Sequence, residues 1–168
     1  MKIHYQIIFI SAILSAVLWS CGEEKKTLFE KLLKEKEGIL RGFETGETYD
    51  EVLSAEKNYT NIEKGNDYIY YDFDLGNEES YTLTYNFYQD KLYEITMDVY
   101  LNSQNTAGQL FNEFKNHYNQ KFGEGVLSKD GYTTWYTQNK LSQKVEIAIK
   151  ENSESYGFFT ITINNLDY

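Results

Sequence analysis

An alternation of apolar and polar side chains through three consecutive segments in the middle of the chain most constrains the fold. Side chains change character at every residue, and a period of two is typical of an antiparallel strand with one buried and one solvated face. The apolar series run from Ile69 to Leu75, from Tyr81 to Phe87 and from Tyr93 to Leu101. The pattern therefore predicts three strands, the last two joined by a tight turn at Gln89 and Asp90.

The same arrangement recurs after a helix. Apolar residues at three- and four-residue intervals predict a helix from Thr106 to Phe122, and Gly123 follows it, where glycine usually ends a helix. Three further alternating segments are 132–138, 143–150 and 157–164. A capping box of Thr48 and Glu51 begins another helix before the first strands. This order predicts an α+β fold of duplicated α-β-β-β units that form an antiparallel sheet with the helices packed on one face.

The N-terminal stretch has the layout of a secretory signal. A positively charged start precedes an apolar run from Ile7 to Trp19, which is shorter than the roughly 17–25 residues that a spanning helix needs. The only cysteine of the chain, Cys21, ends the sequence Leu18-Trp19-Ser20-Cys21. This sequence resembles the lipobox of bacterial lipoproteins. The resemblance implies that Cys21 becomes the lipidated first residue of the mature protein.

The chain is expected to divide into a signal peptide, a tether and one domain. The boundaries are 1–20, 21–26 and 27–168, with halves of about 43–101 and 105–164 inside the domain. A short helix opens the domain at a capping box of Thr27 and Glu30, with Gly38 as its expected stop. A lipoprotein of this kind is expected in the cell envelope, at the outer membrane, on either its periplasmic or its surface face.

The charge of the chain limits its ligands. The sequence has 16 Lys+Arg against 26 Asp+Glu, a formal net charge of −10. Such a surface repels nucleic acid and anionic lipid headgroups, and it suits a basic protein partner. With Cys21 acylated, no thiol remains for disulfides, thiol catalysis or zinc–sulfur sites.

The sequence lacks the patterns that support catalysis or a cofactor. It contains no Gly-x-Ser-x-Gly and no glycine-rich phosphate loop. His117 lies at the border of the apolar side of its predicted helix, which indicates a half-buried packing residue rather than a general base. The oxygen-rich segment from Asp72 has Asn77 and Leu83 where a calcium loop needs glycine and glutamate. We therefore expect no enzyme activity, no metal and no cofactor.

Tyrosines and aspartates concentrate on the polar face of the first three predicted strands. The predicted partner-binding residues are Tyr68, Tyr70, Tyr88, Tyr100, Asp72 and Asp98. Tyrosine offers rigid contact area with a polar tip and is enriched at protein interfaces, and aspartate beside it suits a partner that bears Arg or Lys. A glycan or another small ligand stacked on the same tyrosines is the alternative occupant. A plain solvated face is also open, because strand propensity alone explains tyrosine and threonine there.

One further stretch carries a family resemblance. Gly46, Thr48 and Val52 follow the spacing Gly-x-Thr-x-x-x-Val, which resembles the entry segment of the β-lactamase inhibitor protein family. The small lipoprotein of the outer-membrane β-barrel assembly machinery has a similar entry. The resemblance implies an inhibitor-like architecture and no particular activity. It leaves two non-enzymatic roles open, that of an inhibitor or immunity protein and that of an assembly adaptor.

Overall fold

Helices and strands are described by a computed structural model that covers residues 26–35, 37–60, 62–151 and 156–168. The predicted signal peptide and Cys21 lie outside the described residues. The helices are α1 Leu28–Leu33, α2 Tyr49–Ala55 and α3 Gln104–Phe122. The strands are β1 Ile62–Lys64, β2 Tyr68–Gly76, β3 Glu79–Tyr88, β4 Lys91–Leu101, β5 Val126–Leu127, β6 Thr133–Gln138, β7 Lys144–Glu151 and β8 Gly157–Asn165.

The described strands form one antiparallel sheet in the order β1-β2-β3-β4-β8-β7-β6-β5. The two halves of the chain meet where β4 pairs with β8, for example at Met97 and Ile161. An antiparallel sheet with helices confirms the predicted α+β class. The edge strands β1 and β5, of three and two residues, are too short for an alternating pattern to predict them. Short edge strands also leave little open backbone for pairing with another chain.

Both predicted capping boxes are present. The Glu30 amide donates to Thr27 Oγ1 at 3.2 Å, and the Thr27 amide donates to Glu30 Oε2 at 2.8 Å. Thr48 and Glu51 make the same reciprocal pair at the start of α2. The side chains therefore satisfy amides that the first turn of each helix leaves without a partner.

Two helix ends differ from the predicted positions. α1 stops before Gly38, because Lys34 already has a left-handed φ of 62°. α3 begins two residues before the predicted Thr106, because the Ser103 hydroxyl accepts a hydrogen bond from the Thr106 amide at 3.3 Å and so caps the helix earlier. Both differences fall at element boundaries, where propensity is least informative.

The core consists of the predicted apolar series together with helix side chains. Phe114 of α3 stacks on Phe159 of β8 at 5.3 Å between ring centroids. Tyr49 of α2 contacts Phe87 of β3 at 5.0 Å. Central buried residues of the sheet are Ile69, Tyr71, Leu83, Tyr85, Ile95, Met97, Val99, Val145, Ile147, Ile149, Phe159, Ile161 and Ile163.

The start of β4 corrects one predicted facing. The alternation predicts Tyr93 on the buried face, but Leu92 is the buried side chain and Tyr93 is only half-buried. The pairing of β3 with β4 shifts here, since Asn86 pairs with Glu94 and Phe87 pairs with Leu92. Tyr93 is thus the extra residue of a β-bulge, which changes the facing of the residues before it.

Candidate partner-binding face

The six predicted partner-binding residues share the face of the sheet opposite the core. They alternate with buried residues along β2, β3 and β4, as predicted. Tyr88 and Tyr100 are 53% and 37% exposed. Asp72 is exposed, and the remaining three are half-buried: Tyr68, Tyr70 and Asp98.

The strand register brings four of these residues together. Asp72 of β2 and Asp98 of β4 both pair with Thr82 of β3, which puts their Cα atoms about 10 Å apart, or two strand spacings. Tyr70 precedes Asp72 by two residues on β2, and Tyr100 follows Asp98 by two residues on β4, so the two tyrosines lie on opposite sides of the aspartate pair. We call Tyr70, Asp72, Asp98 and Tyr100 the acidic tyrosine patch.

Carboxylates determine the electrostatics of the acidic tyrosine patch. Burial and the charges of Asp72, Glu63 and Asp98 raise the pKa of Tyr70 above its usual value, so its phenol stays neutral. Oδ1 of Asp98 accepts a hydrogen bond from the Thr160 hydroxyl at 2.6 Å. The patch therefore presents neutral rings beside negative charges, one of them fixed in place, and this arrangement favours a cationic contact.

The other two predicted tyrosines lie apart from the patch. The Tyr68 hydroxyl donates to Glu63 Oε1 at 2.6 Å, so its polar tip already has a partner. Tyr88 lies at the end of β3, where its ring contacts Tyr168 at 5.8 Å. The register separates Tyr88 from Tyr100 by eight residues, or about 26 Å along the strands. These two positions are therefore peripheral to the patch.

Phe158 extends the patch onto β8. Its ring centroid lies 5.2 Å from that of Tyr100. The alternation in β8 predicts that Phe158 faces outward, but the contact depends on the pairing of β4 with β8. No local pattern reveals that long-range pairing.

The structure also contains a buried ion cluster that sequence reasoning missed. Arg41 donates to both carboxylate oxygens of Glu56, and Lys34 Nζ and the Tyr85 hydroxyl donate to the same carboxylate at 3.0 and 2.8 Å. Burial opposes ionisation of Glu56, but the contacts with Arg41 and Lys34 outweigh it and lower its pKa. The sequence did offer one signal. Glu56 follows buried Val52 by four residues, a spacing that puts both on the same side of a helix. Because both oxygens of the buried Glu56 carboxylate have hydrogen-bond donors, we assign the cluster a structural role.

His117 has the half-buried border position that was predicted for it. Its ring contacts Phe29 and Tyr118 at 5.8 and 5.3 Å. Within the described ranges, no three His, Cys, Asp or Glu side chains lie close enough to hold a metal ion. In the acidic turn after Asp72, Oδ1 of Asp74 accepts a hydrogen bond from the Gly76 amide at 2.7 Å, as in an ordinary hairpin turn.

Comparisons with known proteins identify no relative of this chain. No family model, curated protein or solved structure matches it. None of the helices in the described part of the chain is long and apolar enough to cross a membrane.

Proposed function

We propose that this chain is a lipid-anchored, non-enzymatic protein of the cell envelope that binds a protein partner through the acidic tyrosine patch. The observation that carries the proposal is the grouping of two tyrosines and two aspartates on the solvated side of three paired strands. Because the sheet fixes the backbone under these side chains, binding orders side chains and not a loop, so less conformational entropy is lost. Tyrosines in such positions are typical binding hot spots.

The charge of the surrounding face supports a basic partner. The outward-facing acids of β1 to β4 are Glu63, Asp72, Asp74, Glu94 and Asp98. Against these five acids, the same half places Lys91 outward beside Tyr88, whereas β7 of the other half has Lys144 and Lys150 with Glu146 on its outward face. A basic protein surface would therefore be attracted to the half that holds the acidic tyrosine patch and less to the other half.

The lipobox supports the anchored state. A lipid on Cys21 would precede the first described residue, Lys26, by only five positions, so the domain would stay close to the bilayer. Each buried CH₂ of an acyl chain contributes about 0.8 kcal/mol, and stable anchoring takes more than one chain. Anchoring would concentrate the acidic tyrosine patch near other envelope proteins.

The fold is compatible with the two protein-binding roles that the inhibitor-family resemblance implies. A helix precedes the strands in each half, and the halves join at β4 and β8. This order supports a duplicated α-β-β-β architecture whose helices pack on one face and leave the other face free for binding. The partner is then either an enzyme or toxin that the protein neutralises, or a component that it helps to assemble.

Affinity capture from the native envelope, followed by measured binding of the captured protein, tests the proposal. We expect Tyr70→Ala and Tyr100→Ala each to weaken binding by on the order of 2 kcal/mol. Leu127→Ala, which truncates an exposed side chain on the opposite edge strand β5, should leave binding unchanged. Unchanged binding in both tyrosine variants would show that the interface lies elsewhere on the protein. Capture of an oligosaccharide in place of a protein would favour the glycan alternative.

A further inference from the structure

The other half of the outward face contains a depression that the proposed protein contact does not use. It has a volume of about 360 Å³, within the range of roughly 300–1,000 Å³ that is typical of small-ligand sites. Ala148 of β7 lies at its floor, paired with Thr134 of β6 and Thr162 of β8. Because alanine ends at Cβ and both neighbours are longer, the floor is lowest at Ala148.

Two aromatic rings bound this depression. Tyr136 lies in the next row of β6 and is 63% exposed. Hydrogen bonding and the negative charge of Glu146 raise the pKa of Tyr136. Tyr132 lies at the other end, where Lys150 Nζ is 5.1 Å from its ring centroid. The two tyrosines are four residues apart in the chain, or about 13 Å along an extended strand, and lie at opposite ends of the floor.

Open hydrogen-bonding groups line the space between the rings. Thr134 and Thr162 contribute hydroxyls, and Asn164 contributes an amide. Among the described residues, these three side chains have no hydrogen-bond partner, so their donors and acceptors remain open to a ligand. In the acidic half of the same face the comparable amide is already paired, since Asn86 donates to Glu94 at 2.6 Å.

We infer that this depression binds a neutral sugar unit of an oligosaccharide. Hydroxyl and amide groups can both donate to and accept from the hydroxyls of a sugar. The exposed ring of Tyr136 complements its apolar face, in the usual combination of aromatic lining with a few fixed polar groups. Asp130 and Glu146 line the depression and would repel an anionic ligand, and Lys150 lies outside the lining, over the Tyr132 ring; a neutral sugar is therefore favoured over an acidic one. The inference does not depend on the proposed protein partner, because it uses a different half of the face.

Saturation-transfer NMR on the full-length protein in detergent tests this inference. The probes are four neutral trisaccharides: maltotriose, cellotriose, mannotriose and chitotriose. We expect at least one of them to bind, and Tyr136→Ala to weaken that binding about tenfold, the equivalent of about 1.4 kcal/mol. Tyr168→Ala removes a tyrosine that is 48% exposed but lies outside the depression, so it should leave binding unchanged.

A size series at the floor supplies a second readout. Ala148→Leu fills the depression and should abolish sugar binding, whereas Ala148→Ser keeps it open and should preserve binding. A thermal unfolding midpoint for each variant shows that it is folded, and if Ala148→Leu does not fold, Tyr136→Ala alone decides. Failure of the wild type to bind any of the four sugars would overturn the inference. So would equal binding by Tyr136→Ala and the wild type.

Discussion

Arg41 donates two hydrogen bonds to the Glu56 carboxylate, from Nε to Oε1 at 2.8 Å and from Nη2 to Oε2 at 3.0 Å, with both side chains buried. The guanidinium carbon lies 5.4 Å from the ring centroid of Tyr59 and 5.5 Å from that of Phe73. Arg41 has a left-handed φ of 56° and is followed by Gly42 with φ of 87°. The ion pair therefore stabilises a turn conformation that is unfavourable for a residue other than glycine.

Removal of one member of this pair should be strongly destabilising. Arg41→Ala leaves the carboxylate of Glu56 buried with only Lys34 and Tyr85 to compensate it, and breaking a buried pair in this way costs about 3–5 kcal/mol. Urea denaturation measures the loss as a lower midpoint. Lys34→Ala is the matched control, because Lys34 is partly exposed and its removal leaves the Arg41 contact intact. Equal losses in the two variants would contradict the central role of Arg41.

The facing of strand residues could be predicted from sequence because it depends on a local period. Leu83 and Tyr85 are buried, and Thr84 between them is half-buried on the other face. The bulge at Tyr93 could not be predicted, because it depends on how β3 and β4 align across their turn. The pairing of Arg41 with Glu56 spans 15 residues and a left-handed turn, so no periodic pattern reports it.

The candidate site shows the same limit. Alternation alone predicts that Tyr70 and Tyr100 share one face, and the structure has them there. The contact between Tyr100 and Phe158 needs the β4–β8 pairing, and the depression at Ala148 needs the order of three strands in the other half. Such features arise from strand order, which a single chain pattern does not specify.

The carboxyl group of Glu47 should make the stability of the protein depend on pH. Burial raises the pKa of Glu47 to about 7 from 4.5, although a hydrogen bond from the Glu44 amide and the charge of Lys140 act in the opposite direction. The folded protein thus holds a proton that the unfolded chain releases. Stability from this group is complete below pH 4.5 and is lost as the pH rises towards 7.

Glu47→Gln should remove this part of the pH dependence. One pKa unit corresponds to about 1.36 kcal/mol. After allowance for partial exposure, the wild type should lose on the order of 2 kcal/mol relative to the variant between pH 4.5 and 7.5. Chemical denaturation of both proteins across this range measures the difference in their free energies of unfolding. The general effect of the acidic surface is common to both proteins and cancels in this difference. Parallel curves for the two proteins would show that Glu47 titrates normally.

Phe114 and His117 should differ sharply in their contributions to stability. Phe114 is buried in α3 and packs on Phe29 and Phe159, and truncation of such a residue to Ala typically costs about 3–5 kcal/mol. His117 is half-buried at the border of the same helix, so His117→Ala should cost much less. Denaturant midpoints of the two variants compare the losses directly, and similar values would mean that the helix presents a different side to the core.

The anchor can be tested through the one cysteine of the chain. Cys21→Ala should abolish incorporation of a labelled fatty acid and leave the protein either unprocessed or soluble, because the acylated residue is gone. Gly22→Ala changes the adjacent residue and should keep the label. Normal labelling of Cys21→Ala in metabolically labelled cells would exclude lipidation at this position.

Neutralising the two aspartates of the acidic tyrosine patch should slow association with a basic partner. The double variant Asp72→Asn/Asp98→Asn removes both charges of the patch, and loss of electrostatic steering should lower the association rate on the order of tenfold at low salt. The difference should shrink above about 0.1 M salt, where the Debye length falls to about 10 Å. Glu35→Gln/Asp50→Asn removes the same net charge from exposed positions off the sheet and should have a much smaller effect. Equal slowing by both double variants in stopped-flow measurements would indicate that net charge, rather than the patch, steers the partner.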